Sequence, residues 1–419
     1  MSSEIDLSSI NYEDIYIDPE WAAKQPARYE KALKIFEENF GEGNDIEIYS
    51  APGRTEVGGN HTDHQHGEVL AASINRDAIA IVRKTDNGIV RVISGTAPMI
   101  TINIEDLTGN ESEKGTTTAL IKGVLAQLQF EGFHVGGFDA YITSDVLIGA
   151  GLSSSAAFET LIGTIISGLY NDRSIYAVTI AKIGQYAENV YFGKPCGLMD
   201  QMACSVGNMV HIDFKHPENP EVERVDFDFT KTGYSLCITD TKGSHSDLTA
   251  DYAAVPQEMK EIANLLGHDV LRPVTLDDIL TNISTLRQKA GDRAVLRAIH
   301  FVEETQRAHS EAAALQRGDL YEFLKLVKQS GNSSFKYLQN VYTNNDVEHQ
   351  NVSIALAVSE AILENDEAAR VHGGGFAGTI QAFVKNEHTS KYRETMDSIF
   401  GEGSCQILKI RKYGGMKVL

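Results

Sequence analysis

Cysteine is scarce. The 419 residues hold four (Cys196, Cys204, Cys237 and Cys405), with no C-x-x-C pair. That excludes a disulfide framework and a thiolate zinc site, and it predicts reduced, mostly buried thiols. Positive charge is also short. Lys and Arg total 37 against 58 Asp and Glu, a formal net charge of −21. Non-specific binding to nucleic acid or to an anionic membrane needs a positive surface, so neither is expected as a partner. Long apolar runs are missing too. The opening MSSEIDLSSINYEDIYIDPEW is acidic with no apolar core, so it does not read as a secretory signal. The most apolar stretch, around 156–169, is interrupted by Glu159 and is too short to span a bilayer. A cytoplasmic location is expected.

What remains is an ordinary globular composition, 42% hydrophobic and 23% charged. The length is large for one hydrophobic core and predicts two domains. Trp21, Ala22, Tyr29, Ala32, Leu33 and Phe36 recur at helical spacing over 19–40. Strand-like runs follow at 78–83, 89–94, 100–104 and 137–143, with amphipathic helices over 117–130 and 154–170. After 213 comes a polar connection with two prolines. Beyond it, a strand at 234–241 and charged helices at 254–266, 291–315, 319–329 and 352–364 lead to a glycine-rich turn and strand at 373–384. The expected division is 1–213 and 214–419. Charge runs such as NDEAAR (365–370) read as solvated helix faces.

Four stretches carry chemistry. GGNHTDHQHG (58–67) packs His61, Asp63, His64 and His66 into six positions. Imidazole and carboxylate ligate transition metals, so a metal-dependent hydrolase is one reading of it. GAGLSSSAA (149–157) stands before the 154–170 helix. Its glycines allow close backbone approach, and helix-start N–H groups with the helix dipole favour phosphate. The bland alternative is a loop whose Ser153 or Ser154 caps the helix. CGLMDQMA (196–203) sets Asp200 among apolar neighbours, as a cap or a reactive group. HGGGFAGT (372–379) is a second glycine-rich loop, and with the first it suggests a ligand closed between two lobes.

Taken in order, these stretches resemble the GHMP family of small-molecule kinases, and within it the galactokinases. APGRTEVGGNHTDHQHG (51–67) is similar to the galactokinase signature, GAGLSSSAA to the ATP-phosphate loop and HGGGFAGT to the third motif. The resemblance covers nearly the whole chain. It implies an α/β (α+β) fold with an N-terminal mixed-sheet lobe, a C-terminal ferredoxin-like lobe and an active site between them. It implies an ATP-dependent sugar 1-kinase acting on galactose, with Mg2+, with the small-molecule sugar and ATP as its partners and a monomer as its working state. Arg54 and Asp200 would be the catalytic pair. Arg54, Asn60, His61, Asp63, Gly197, Asp200 and Tyr252 would contact the sugar. Gly149, Gly151, Leu152, Ser153, Ser154, Ser155 and Ala156 would cradle ATP. Ser155 and Glu188 would hold the metal, and Gly373, Gly374 and Gly375 would form the third motif.

The pattern departs at one informative place. Asn60 stands where the family has a glutamate that meets the sugar's C6 hydroxyl. An asparagine still hydrogen-bonds there but without charge. A galacturonate 1-kinase, which would need a C6 carboxylate tolerated, is therefore the alternative substrate reading. No Arg or Lys enters the loop to favour it. A non-catalytic galactose and ATP sensor is the second alternative, and the intact GLSSSAA, Arg54 and Asp200 argue against it.

Overall fold

The structure is a computed structural model that describes residues 5–43, 45–146, 151–243 and 248–419. Two strands dominate the first half, β1 (Ile46–Gly58) and β2 (Glu68–Thr85), paired antiparallel. One end of β2 continues to β5 (Gly137–Ser144), which runs parallel to β3 (Ile89–Ser94); β3 in turn pairs β4 (Ile100–Asn103). The other end of β2 pairs β6 (Met209–Asp213), which turns into β7 (Glu221–Val225). The sheet is therefore mixed, as the resemblance predicts.

Alternation explains why AIAIVR is apolar throughout. Ala78, Ala80 and Val82 face a core with Ile121 and Leu125 of the Thr117–Phe130 helix and Leu161 and Ile165 of the Ser154–Tyr170 helix. Ile79 and Ile81 face the opposite core, against Tyr29, Ala32 and Phe36 of the Gln25–Phe40 helix. Covered on both faces, the strand has no polar side to keep.

The second sheet holds β8 (Tyr234–Asp240), β9 (Ala368–His372), β10 (Thr379–Lys385) and β11 (Cys405–Leu408), in the order β11-β8-β10-β9 and antiparallel throughout. With helices between β8 and β9 and the Thr389–Phe400 helix between β10 and β11, this is the ferredoxin-like strand order. Two findings differ from the sequence reading. NDEAAR is not a helix face: Ala368 begins β9, and Arg370 is fully buried because it pairs with a carboxylate on β1. The first sheet also draws strands from beyond 213, namely β7 and the C-terminal β12 (Met416–Lys417), which pairs with Tyr49 and Ser50 of β1.

All four cysteines are free, three of them buried. No helix among the described residues is long and apolar enough to cross a membrane.

A buried carboxylate ties the chain ends to the first sheet. Asp77 on β2 is fully buried and takes Arg28 at 2.7 Å and Arg411 at 3.0 Å, plus the Tyr16 hydroxyl at 2.8 Å. Burial alone would raise its pKa; Arg28 and Arg411 outweigh burial and hold it below the usual aspartate value. Asp77→Ala leaves the buried Arg411 without a counter-charge and Arg28 with Asp145 alone, and is expected to cost about 3–5 kcal/mol. Urea unfolding at neutral pH measures this as a lower midpoint. The Asp77 contribution is fully present above about pH 3.9. It disappears as pH falls through the lower folded value, so the gap between wild type and variant narrows in strong acid. An unchanged midpoint at pH 7 would contradict the assignment.

Candidate active site

The phosphate-loop candidate enters the Ser154–Tyr170 helix through two left-handed residues, Gly151 (φ +69°) and Ser153 (φ +57°). Gly149 lies outside the described residues. Leu152 and Ala156 are buried and anchor the loop in the core. Ser153 occupies the N-cap position, yet its hydroxyl does not cap the helix. It donates instead to Asp200 Oδ2 at 2.6 Å. The first-turn N–H groups thus have no side-chain cap from it, and they carry the positive end of the helix dipole. β1 passes close by: Arg54 N–H donates to Leu152 C=O at 3.0 Å. A Cβ on Gly53 would stand 2.8 Å from that same oxygen, so only glycine permits the approach.

Arg54 and Asp200 meet in a two-pronged pair, Nε to Oδ1 at 2.7 Å and Nη2 to Oδ2 at 2.6 Å. Arg54 Nη1 also donates to Gly151 C=O. Asp200 sits in the first turn of the Met199–Val206 helix. Burial would raise its pKa, but Arg54 and the Ser153 hydroxyl hold it below the ordinary aspartate value. The Asp200 side chain keeps 29% exposure, so a ligand can reach it despite the pairing.

Ser155 Oγ donates to Glu188 Oε1 at 3.0 Å. Glu188 stands at the start of a π-helical turn, Ala187–Phe192, a distortion frequent at functional sites. Lys194 Nζ reaches the same oxygen at 3.2 Å, and Gln201 Nε2 donates to Oε2 at 2.8 Å. Gln201 also donates to Glu159, whose buried carboxyl is pushed well above the usual range by burial and by Glu188. The hydroxyl and carboxylate oxygens are hard donors of the type Mg2+ takes.

The signature loop and the third motif lie against each other. His61, itself left-handed, has its Nε2 3.0 Å from Gly374 C=O. Tyr252 donates to Gly375 C=O at 2.9 Å and stacks edge-on to Phe376. Asp63 approaches Gly197 so closely that a Cβ there would be 2.6 Å from its Oδ2. His61, Asp63, Gly197 and Tyr252 are thus gathered around the two loops, with Gly373 tied in by Asn60.

The sequence reading sets Asn60 against a sugar C6 group; the structure buries it completely. Its Nδ2 donates to Glu56 Oε1 (2.9 Å) and Gly373 C=O (2.7 Å). Its Oδ1 accepts from Asn340 Nδ2 (2.9 Å) and Ser334 Oγ (3.2 Å). An amide offers two donors and two lone pairs, and all four are used inside the protein. Among the described residues, the loop histidines and Asp63 form no converging metal-ligand trio. His64 packs edge-on to His61, and burial lowers its pKa to about 4, which keeps it neutral.

Several neighbours escaped sequence reading. His372 bridges Thr55 Oγ1 (3.0 Å) and Thr379 Oγ1 (2.8 Å), and Gln381 donates to Thr55 Oγ1 (2.7 Å). Gln201 lies within CGLMDQMA beside Asp200, and Lys194 just before that segment, which was the available signal for them. For Gln381, alone in an apolar strand, there was none.

Comparison with known proteins fits this geometry. Residues 34–84 match the galactokinase galactose-binding signature, and 119–208 match the GHMP kinases N-terminal domain. The chain is 30% identical over 365 residues to a galactokinase of Streptomyces coelicolor, covering 87% of this chain and 91% of that one. It is 31% identical over 367 residues to the Homo sapiens galactokinase, covering 85% and 89%. The crystal structure of Lactococcus lactis galactokinase complexed with galactose superposes with a TM-score of 0.78 at 23% identity, covering 93% of this chain and all of that one. By fold, by both signatures and by identity over most of its length, the chain is a kinase that belongs to the galactokinase family of GHMP kinases.

Proposed function

We propose that the protein transfers the γ-phosphoryl group of ATP to the anomeric hydroxyl of galactose, giving galactose 1-phosphate. The supporting observation is the Arg54–Asp200–Ser153 constellation, assembled where the glycine- and serine-rich loop meets its helix. ATP phosphates would lie on the loop residues Gly151–Ala156. Asp200 would accept a hydrogen bond from the anomeric hydroxyl and orient it for attack. A carboxylate held ionised by an arginine is a weak base, so Asp200 would take the proton late, as the new O–P bond forms. Arg54 would neutralise charge on the transferring group. Positioning and cationic stabilisation carry most of phosphoryl transfer.

Ser155 and Glu188 would hold Mg2+, which when bound neutralises phosphate charge. Lys194 is placed to steady Glu188. His61, Asp63, Gly197 and Tyr252 would line the sugar. The enzyme would act as a cytoplasmic monomer, with the sugar and ATP as its partners. Galacturonate drew its support from the identity of residue 60 and from the HTDHQ run at 61–65. With the Asn60 amide saturated by protein groups, that identity no longer reports on the C6 substituent, and galactose is the reading retained. A silent sensor would not need the catalytic pair and the hard-oxygen pair both assembled.

Asp200→Ala is expected to lower kcat about 10²–10⁴-fold while galactose binding persists. Steady-state kinetics with equilibrium sugar binding separate the two; wild-type protein that binds both substrates without turnover would sink the kinase assignment. Glu188→Gln is expected to raise the Mg2+ concentration for half-maximal rate by about 10–100-fold, read from an Mg2+ titration at fixed ATP. Asn60→Ala strands buried partners, at about 1–3 kcal/mol for each unsatisfied group. It should lower the thermal midpoint yet leave the ratio of galactose to galacturonate turnover unchanged. A variant of wild-type stability with a changed C6 preference would return Asn60 to the sugar site.

A further inference from the structure

One residue past the signature loop, Glu68 opens β2. In the β2–β6 register Glu68 lies opposite Asp213 and Leu70 opposite His211, so Glu68 and His211 are diagonal neighbours on one face. The Asp292–Gln316 helix covers that face, its Ala312 and Leu315 sharing a core with Leu70. The same helix brings in His309. The result is a convergence on one oxygen: Glu68 Oε2 is 2.8 Å from His211 Nε2 and 3.1 Å from His309 Nδ1. The three ligand atoms all lie within 4.8 Å of one another.

The other carboxylate oxygen is already committed. Arg272 Nη2 sits 3.1 Å from Glu68 Oε1 and 2.8 Å from Asp213 Oδ2, and its Nη1 donates to His66 C=O. That contact turns Oε2 towards the two imidazoles and fixes the carboxylate as a one-oxygen donor, the role that outer partners play around metal ligands. Glu68 and Asp213 against Arg272 leave a local charge of one negative unit with neutral imidazoles. A divalent cation is therefore electrostatically admissible, in a chain that is strongly acidic overall. Glu68 and His211 are buried, while His309 is 58% exposed on its side chain, which leaves an entry path and room for a water as fourth ligand.

We propose that Glu68, His211 and His309 form a binding site for a divalent transition metal of the zinc type, separate from the catalytic centre. Two imidazole nitrogens and one carboxylate oxygen are a donor set zinc and cobalt take readily, whereas Mg2+ prefers oxygen alone. Binding needs a lone pair on each ring nitrogen that faces Oε2, so each neutral imidazole carries its proton on the other ring nitrogen in the metal-bound form. The metal joins two strands of the first sheet to a helix from the second half of the chain, so its effect is on stability.

The test uses the full chain, stripped with chelator and held in excess Mg2+ to fill any all-oxygen site. Co2+ is then titrated while visible absorption is followed. One equivalent should give the intense bands of a four-coordinate nitrogen and oxygen site, and Zn2+ should displace it. His309→Ala, at an exposed position that should not disturb folding, is expected to bind at least about tenfold more weakly and to lose the Zn2+-dependent rise in thermal midpoint. His66→Ala, in the neighbouring loop, should bind as wild type. Wild-type protein that takes up no stoichiometric Co2+ under these conditions would overturn the proposal, as would His309→Ala binding equal to wild type.

Discussion

The strand that carries Arg54 is held by buried polar bonds to the second sheet, and the site depends on that seam. Immediately after Arg54, Thr55 meets His372 and Gln381, Glu56 pairs with Arg370, and Asn60 joins Gly373 and Asn340. Arg370 also donates to Val57 C=O. All of these groups but Gly373 are buried, so a bond left unmade among them would carry the full penalty of a desolvated polar atom. The two sheets therefore have one well-satisfied way to meet along β1. That docking sets where Arg54 stands relative to the third motif.

Behind the seam lies a charged layer with the same logic. Glu304 takes the backbone N–H groups of Gly59 and Asn60, the Ser330 hydroxyl and Arg307. Burial would raise its pKa, but His300, Arg307 and Arg370 bring it down to about 2. His300 accepts burial by remaining neutral, its pKa lowered to about 4, while facing the Asn60 carbonyl. The signature loop is thus shaped from behind by fixed charges, and its forward-facing side chains inherit their positions. His61 and Ser153, both left-handed, show local strain of the type that tertiary contacts must hold in place at a site.

Much of the fold was legible because periodicity reports burial. The Thr117–Phe130 and Ser154–Tyr170 helices and β3 fall where the apolar spacing puts them. β9 was misread because Arg370 and Glu367 look solvated in a string of letters, yet both are buried. Partners some three hundred residues away satisfy Arg370, and no local pattern encodes them. The same holds for β12, two residues that return to β1 only through tertiary pairing. In the site, the stretches that would hold phosphate, metal and sugar were visible as motifs. The bond from Ser153 to Asp200 was not, since Ser153 at a helix start reads equally well as a cap.

Asn60 shows where motif reasoning changes meaning in three dimensions. A one-letter departure in a binding signature invites the inference that the ligand has changed to match. That inference needs the side chain to face the ligand. Here the amide's two donors and two acceptors are all spent on Glu56, Gly373, Asn340 and Ser334. A glutamate in the same place would have no proton to give Glu56 when both are ionised, and would set two buried carboxylates side by side. In this chain the neutral amide is the residue that Glu56, already paired with Arg370, can accept as a neighbour. The departure is explained by the seam between the sheets, and the chemistry at C6 must be read from the groups that remain free to meet it.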